Sequence, residues 1–149
     1  MNSFFKFPEF AIKTNYKTPV NPTDGSLQHA YSTEHNFFEH LETHQPYGAQ
    51  FNQHMGGYRQ GRPSWMDKGF YPVQERLING FDAASPALLV DIGGGLGHDL
   101  DEFRRKNLEA PGKLVLQDLG PVLGQITDLD SKIERMEYNF YDEQPVKGT

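Results

Sequence analysis

Ten residues in the middle of the chain, Val90-Asp91-Ile92-Gly93-Gly94-Gly95-Leu96-Gly97-His98-Asp99, set a carboxylate beside four glycines within one tight turn. The apolar run Ala87-Leu88-Leu89-Val90 leads into them, and a helical pattern from His98 to Lys106 leads away. A glycine turn between a strand and a helix bares backbone N–H groups and lets a ligand come against the main chain. Gly93 and Gly95 suit the sharp turn, and Gly97 suits close approach of the helix to the sheet. Asp118 closes the next strand pattern, 27 positions after Asp91. A carboxylate at that place can accept hydrogen bonds from both hydroxyls of a ribose.

Three ligand classes compete for such a turn. A P-loop ends in Gly-Lys-Ser/Thr, and position 98 is His, so triphosphate binding is not expected. A dinucleotide fingerprint reads G-x-G-x-x-G, whereas the pattern here is Gly93-x-Gly95-x-Gly97 preceded by Asp91. That acid disfavours a pyrophosphate and suits a cationic ligand such as S-adenosylmethionine, with its ammonium and sulfonium charges. The competing reading is a βα turn whose glycines serve the backbone conformation alone.

Other groups of reactive side chains carry less. His40 and His44 share a helix face at i, i+4, but residue 41 is Leu and no third ligand is fixed, so they read as solvated histidines and no metal is expected. His98 reads as a helix-start residue. Arg104-Arg105-Lys106 reads as a solvated helix end, where cations suit the dipole. With no cysteine there is neither a disulfide, nor a thiol nucleophile, nor a thiolate metal site.

The elements that must position the turn follow from breakers and periodicity. Residues 1–82 carry 15 of the 19 aromatics and five of the six histidines but only seven Val, Ile or Leu, against 17 in residues 83–149. The first part reads as an aromatic-rich helical region, the second as alternating strands and helices, with a seam near Phe81–Pro86. Pro8, Pro19, Pro22 and the Asn21–Gly25 cluster predict an irregular N-terminal stretch. Helices are predicted over 33–45, Tyr47–Tyr58 and Val73–Ile78. Beyond the seam, strands near 87–91, Lys113–Gln117 and Ile133–Tyr138 alternate with helices His98–Lys106 and Pro121–Ile126, which means βαβ units. The sheet wants cover on both faces, and two helices are little for that. A net charge of −6 argues against a nucleic-acid partner, and no apolar run reaches a membrane span, so a soluble cytoplasmic protein is expected.

The stretch Leu88-Leu89-Val90-Asp91-Ile92-Gly93-Gly94-Gly95-Leu96-Gly97-His98-Asp99, with Leu114-Val115-Leu116-Gln117-Asp118-Leu119, resembles the fungal secondary-metabolite O-methyltransferases of the plant-type class, the sterigmatocystin methyltransferases among them. The similarity extends to Phe51-Asn52-Gln53-His54-Met55-Gly56-Gly57-Tyr58, Tyr71-Pro72-Val73-Gln74-Glu75-Arg76-Leu77 and Gln144-Pro145-Val146-Lys147-Gly148. It implies an α/β fold: part of a Rossmann-like, S-adenosylmethionine-dependent methyltransferase domain over residues 83–149, behind a helical acceptor or dimerisation region over 1–82. Gly93, Gly94 and Gly95 would meet the amino-acid moiety of the cofactor and Asp118 its ribose. Asn139 and Phe140 stand where the family usually has Asp-Phe beside the adenine, and the amide gives up the charge-assisted strength of a carboxylate there.

For the acceptor, an aromatic or polyketide-like small molecule, the candidates are His54 and Met55 on a helix and Trp65 among aromatics; the competing readings are an amphipathic helix face for the first two and a core position for Trp65. The family's general base belongs to a His-Asp-Trp stretch beyond the third strand, and the sequence reaches Thr149 before one is met. No catalytic residue is therefore assigned, and the chain reads as a truncated middle segment with a second copy or a full-length homologue as partner. Three function classes follow: a methyltransferase or part of one, a catalytically inactive accessory homologue, and a pericyclase-type enzyme on the same scaffold.

Overall fold

A computed structural model describes residues 2–58 and 60–147. They form two compact units, residues 1–60 and 61–149.

The first unit is helical. Helix α1 (Asn2–Lys13) runs through Pro8 and buries Phe10 and Ala11. The predicted irregular stretch is thus helical over residues 2–13: Pro8 forfeits one N–H donor, while later turns close through Thr14 N–H to the Phe10 carbonyl and Tyr16 N–H to the Ala11 carbonyl. Helix α2 (Ser26–Tyr31) follows the turn residues and was likewise not expected. Glu9 of α1 bridges to His29 of α2 at 3.2 Å, with Phe10 5.9 Å from the same ring. Helix α3 (Phe37–Thr43) lies inside the predicted 33–45, and its start is set by Asn36. The Asn36 Oδ1 accepts from the N–H groups of Phe38 and Glu39, and Glu39 returns an oxygen to the Asn36 N–H at 2.8 Å, a capping box. Helix α4 (Tyr47–Gly57) matches expectation, and Phe51 stands edge-on to Phe37 at 5.4 Å.

His40 departs from its reading as a solvated residue. It is 4% exposed, with Tyr31 4.7 Å away and the His44 ring stacked at 4.1 Å. Burial, and then His44 and His35, hold its imidazole below the ordinary pKa, since a charge there would be poorly solvated.

The second unit is a three-stranded parallel sheet, β1 (Leu89–Ile92), β2 (Leu114–Asp118) and β3 (Ile133–Glu137), in the order β1-β2-β3. Helix α5 (His98–Lys106) crosses from β1 to β2, and the short α6 (Gly120–Leu123) from β2 to β3. Leu89 is in register with Leu114, and Leu114 with Ile133. Strand alternation sends Leu114 and Leu116 to the face where Leu100 and Phe103 of α5 lie fully buried. Burying side chains of this size contributes roughly 1.5–3 kcal/mol each. Val115 and Gln117 belong to the opposite face and are buried too.

The compositional seam near residue 82 is not where the compact units divide. Val73 is buried in the sheet core, and Trp65, Met66, Leu77, Ile78 and Phe81 pack against it. Of the four aromatics in residues 61–82, Trp65 and Phe81 pack on the sheet core, while Phe70 and Tyr71 are exposed. Within the same stretch Gln74–Ile78 forms a π-helical turn.

Candidate functional site at the carboxyl ends of the strands

The turn after β1 is built by hydrogen bonds to β2. The N–H groups of Gly93 and Gly94 donate to the Gln117 carbonyl at 2.8 and 3.3 Å, and Gly97 N–H closes on the Gly94 carbonyl at 3.0 Å. Gly93, Gly95 and Gly97 have φ of +70°, +61° and +82°, the left-handed region that glycine enters without penalty. A Cβ on Gly93 or Gly95 would meet nothing within 4 Å. Gly94 differs: its φ is ordinary, but a Cβ would stand 2.5 Å from the Asp91 Oδ2 and 2.5 Å from Leu116 Cδ1. Gly93 and Gly95 therefore serve conformation beside open space, Gly94 serves close packing, and Gly97 serves both, since a Cβ there would stand 3.0 Å from Leu116 Cδ2.

Asp118 ends β2 directly across from this turn. Its Oδ2 accepts the Gly95 N–H at 2.8 Å and its Oδ1 the Leu119 N–H at 2.8 Å. The carboxylate expected from its place after a strand thus also ties the two βα turns together. Asp91, on β1, lies under the turn, its Oδ2 against Gly94.

Beyond β3 the chain makes a tight turn over Asn139–Asp142. Asn139 Oδ1 accepts from Tyr141 N–H at 3.1 Å, and Asp142 N–H reaches the Asn139 carbonyl at 2.8 Å. Phe140 and Tyr141 stand on it 62% and 84% exposed, with their rings 4.6 Å apart. Asp91, the three glycines, Asp118 and the Asn139-Phe140 pair all lie at the carboxyl ends of parallel strands of one sheet, the place where open α/β sheets bind ligands.

The three acceptor candidates are distributed differently. Trp65 belongs to the sheet unit, half-buried against its core, and its indole N–H donates to the Asp99 carboxylate of α5 at 3.2 Å. The same segment is tied to the other end of α5 by Asp67 and Lys106 at 2.6 Å, which lowers the Asp67 pKa and raises that of Lys106. His54 and Met55 are exposed on α4 of the helical unit, with His54 edge-on to Tyr58 at 6.1 Å. Among the described residues no cluster of three or more metal-ligating side chains occurs, and no helix is long and apolar enough to cross a membrane.

Gln117 and Gln144 were not singled out by the sequence. Gln117 is fully buried, and the two amides are paired reciprocally: each Nε2 donates to the other's Oε1 at 2.8 Å. The available signal was a polar residue inside a strand pattern that otherwise read as buried.

The parallel sheet, its crossover helices and the glycine turn make a partial Rossmann-like α/β domain. The solved structures agree. LepI in complex with SAM superposes at a TM-score of 0.78 with 34% identity, and a pericyclic reaction enzyme at 0.73 with 32%, each covering 99% of this chain and 37% of that one. OxaC in complex with sinefungin and meleagrin shares the fold at a TM-score of 0.78. By sequence, the chain is similar to fungal O-methyltransferases. It is 45% identical over 148 residues to O-methyltransferase mpaG of Penicillium roqueforti and 39% over 143 residues to O-methyltransferase asqD of Emericella nidulans. The matches cover 97% and 95% of this chain, and the chain spans 37% and 36% of the length of those relatives. No protein-family model matches it.

Proposed function

We propose that this chain provides the cofactor side of an S-adenosylmethionine-dependent O-methyltransferase of fungal polyketide-type secondary metabolism. The observation that carries the reading is the bond from Asp118 Oδ2 to the Gly95 N–H, beside two left-handed glycines with open space at their Cβ positions. A carboxylate fixed at that distance from a bare glycine turn suits a ribose diol next to a backbone-bound amino-acid moiety. Asp91 beneath the turn adds negative charge toward an ammonium or sulfonium. Asn139 and exposed Phe140 offer an amide and a ring face to an adenine. When bound, the cofactor would supply a methyl group on a sulfonium for in-line displacement by an acceptor hydroxyl. The chain's own groups would orient it by binding the amino-acid, ribose and adenine parts. His54, Met55 and Trp65 are the proposed acceptor contacts, and an aromatic or polyketide-like phenol the proposed acceptor.

A pericyclase-type reaction on the same scaffold is the second reading, favoured by the 32% identity to a pericyclic reaction enzyme. There His54 would polarise the substrate and no methyl group would move.

Calorimetry on the purified chain tests the first reading. S-adenosylmethionine and S-adenosylhomocysteine are expected to bind more tightly than NAD, and a preference for NAD would sink the assignment. The sheet unit holds a single histidine, His98, so methyl transfer to phenolic acceptors by the chain alone is expected at background, a missing base costing about 10²–10⁴-fold. Turnover would make His98 and His54 the first residues to substitute.

A further inference from the structure

We infer that the Gln117–Gln144 amide pair is a positioning device that sets adenine recognition, an inference that rests on the cofactor reading above. Gln117 works at both ends of the site. Its backbone carbonyl receives Gly93 and Gly94 and so holds the glycine turn. Its side chain, fully buried, exchanges two hydrogen bonds with Gln144 and also donates to Met136 Sδ at 3.1 Å. Gln144 in turn receives Val146 N–H at 3.0 Å.

The turn that carries Phe140 is therefore bracketed by two consecutive residues of β2. On its entry side Tyr138 N–H donates to the Asp118 carbonyl at 3.0 Å. On its exit side Gln144 is held by the Gln117 side chain. The turn's own hydrogen bonds, Tyr141 N–H to Asn139 Oδ1, Asp142 N–H to the Asn139 carbonyl and Tyr138 Oη–H to the Asp142 carbonyl, run within residues 138–142 and do not reach β2. A buried amide without a partner is costly, and a reciprocal amide pair satisfies both groups in one geometry only. The pair thus fixes how far the Asn139–Phe140 edge stands from Asp118 and Gly95. Neither glutamine needs to touch a ligand. Each acts through the turn it holds.

The experiment compares S-adenosylhomocysteine with its inosine analogue, in which the adenine 6-amino group is an oxygen, on the full chain by calorimetry. The wild type is expected to prefer the adenine ligand. Gln144→Ala is expected to bind S-adenosylhomocysteine about tenfold more weakly, the loss of a buried pair of hydrogen bonds, while the inosine analogue changes little, so that the preference collapses. A merely structural defect would weaken both ligands alike. Gln144→Glu provides a variant that can be repaired: its carboxyl, when protonated, donates to Gln117 Oε1 and accepts from Nε2. Deprotonation removes that donor and sets a charge beside the buried Gln117 amide, so the clasp and the adenine preference are expected at acid pH and expected to be lost as pH rises, with the wild-type ratio as control at each pH. Folded variants that keep the wild-type preference at every pH would overturn the positioning role alone. A wild type that binds neither ligand would overturn the cofactor reading and this inference with it.

Discussion

Replacing Asp118 separates what its carboxylate does for the fold from what it does for a ligand. The side chain accepts two backbone N–H bonds, from Gly95 and Leu119, each at 2.8 Å. Hydrogen bonds to a charged group are worth about 1.5–3 kcal/mol where they are desolvated, and the partly exposed setting here puts each nearer 1 kcal/mol. Asp118→Ala removes both, so the ligand-free sheet unit is expected to lose about 2 kcal/mol. In a unit of this size that lowers the melting temperature by roughly 8–16 °C. Asp118→Asn keeps an acceptor for the Gly95 N–H and is expected to lose less than half as much. Ligand binding adds a second cost, because both variants give up the charge that a ribose diol would donate to. S-adenosylhomocysteine affinity is expected to fall about 10–150-fold in Asp118→Ala, corresponding to about 1.5–3 kcal/mol. The assays are a thermal melt without ligand and calorimetry with it, on the same preparations. An Asp118→Ala variant that melts lower but binds with unchanged affinity would refute the ribose role while keeping the tie between turns. Unchanged behaviour in both assays would refute the geometry.

Further outcomes follow from other contacts. Gly94→Ala, whose Cβ would be forced against Asp91 and Leu116, is expected to destabilise the sheet unit by about 1–3 kcal/mol by overpacking; a melt identical to wild type would contradict that contact. His40 has a lowered pKa, so its contribution to stability is present above the ordinary value of about 6.5 and lost as pH falls through the lower folded value. Melts of wild type and His40→Phe between pH 5 and pH 8 should therefore differ in slope, and parallel curves would count against a buried neutral histidine. Strand β1 pairs with β2 and with no other described strand, and Ile92 on it is 51% exposed. Size-exclusion chromatography is expected to show self-association, which exposed strand edges promote, and a monodisperse monomer melting above about 60 °C would show the edge to be adequately protected.

The sheet half was legible in advance because its signals are local and strong. His98–Lys106 is helical over the predicted residues, since acids fill its first turn, bases fill its last, and Leu100 and Phe103 repeat at i, i+3. The three strands fell within a residue or two because apolar runs between turn formers leave little choice. The helical half was harder. Pro8 and the cluster near Asn21 are breakers by propensity, yet α1 and α2 form around Phe10, Ala11 and the Glu9–His29 bridge, and such tertiary contacts override local preference. Position 82 marks a change of composition, but composition does not say which core Val73, Leu77 or Phe81 joins. At the candidate site, turn chemistry singles out Asp91, the glycines and Asp118 in the sequence. Gln117 and Gln144 are 27 positions apart, and nothing in their spacing announces that the two amides meet.

The bond between Trp65 and Asp99 has a practical consequence. Trp65 is the chain's one tryptophan, so all indole emission comes from a single site. That indole is held at 3.2 Å by a carboxylate in the first turn of α5, two residues past Gly97. Its emission is therefore expected to respond to how the start of α5 sits, and a ligand that shifts the glycine turn is expected to change it without a label. Titration of a candidate ligand into unmodified protein, with Asp99→Asn as the reference for the local charge, turns this structural tie into an optical binding assay.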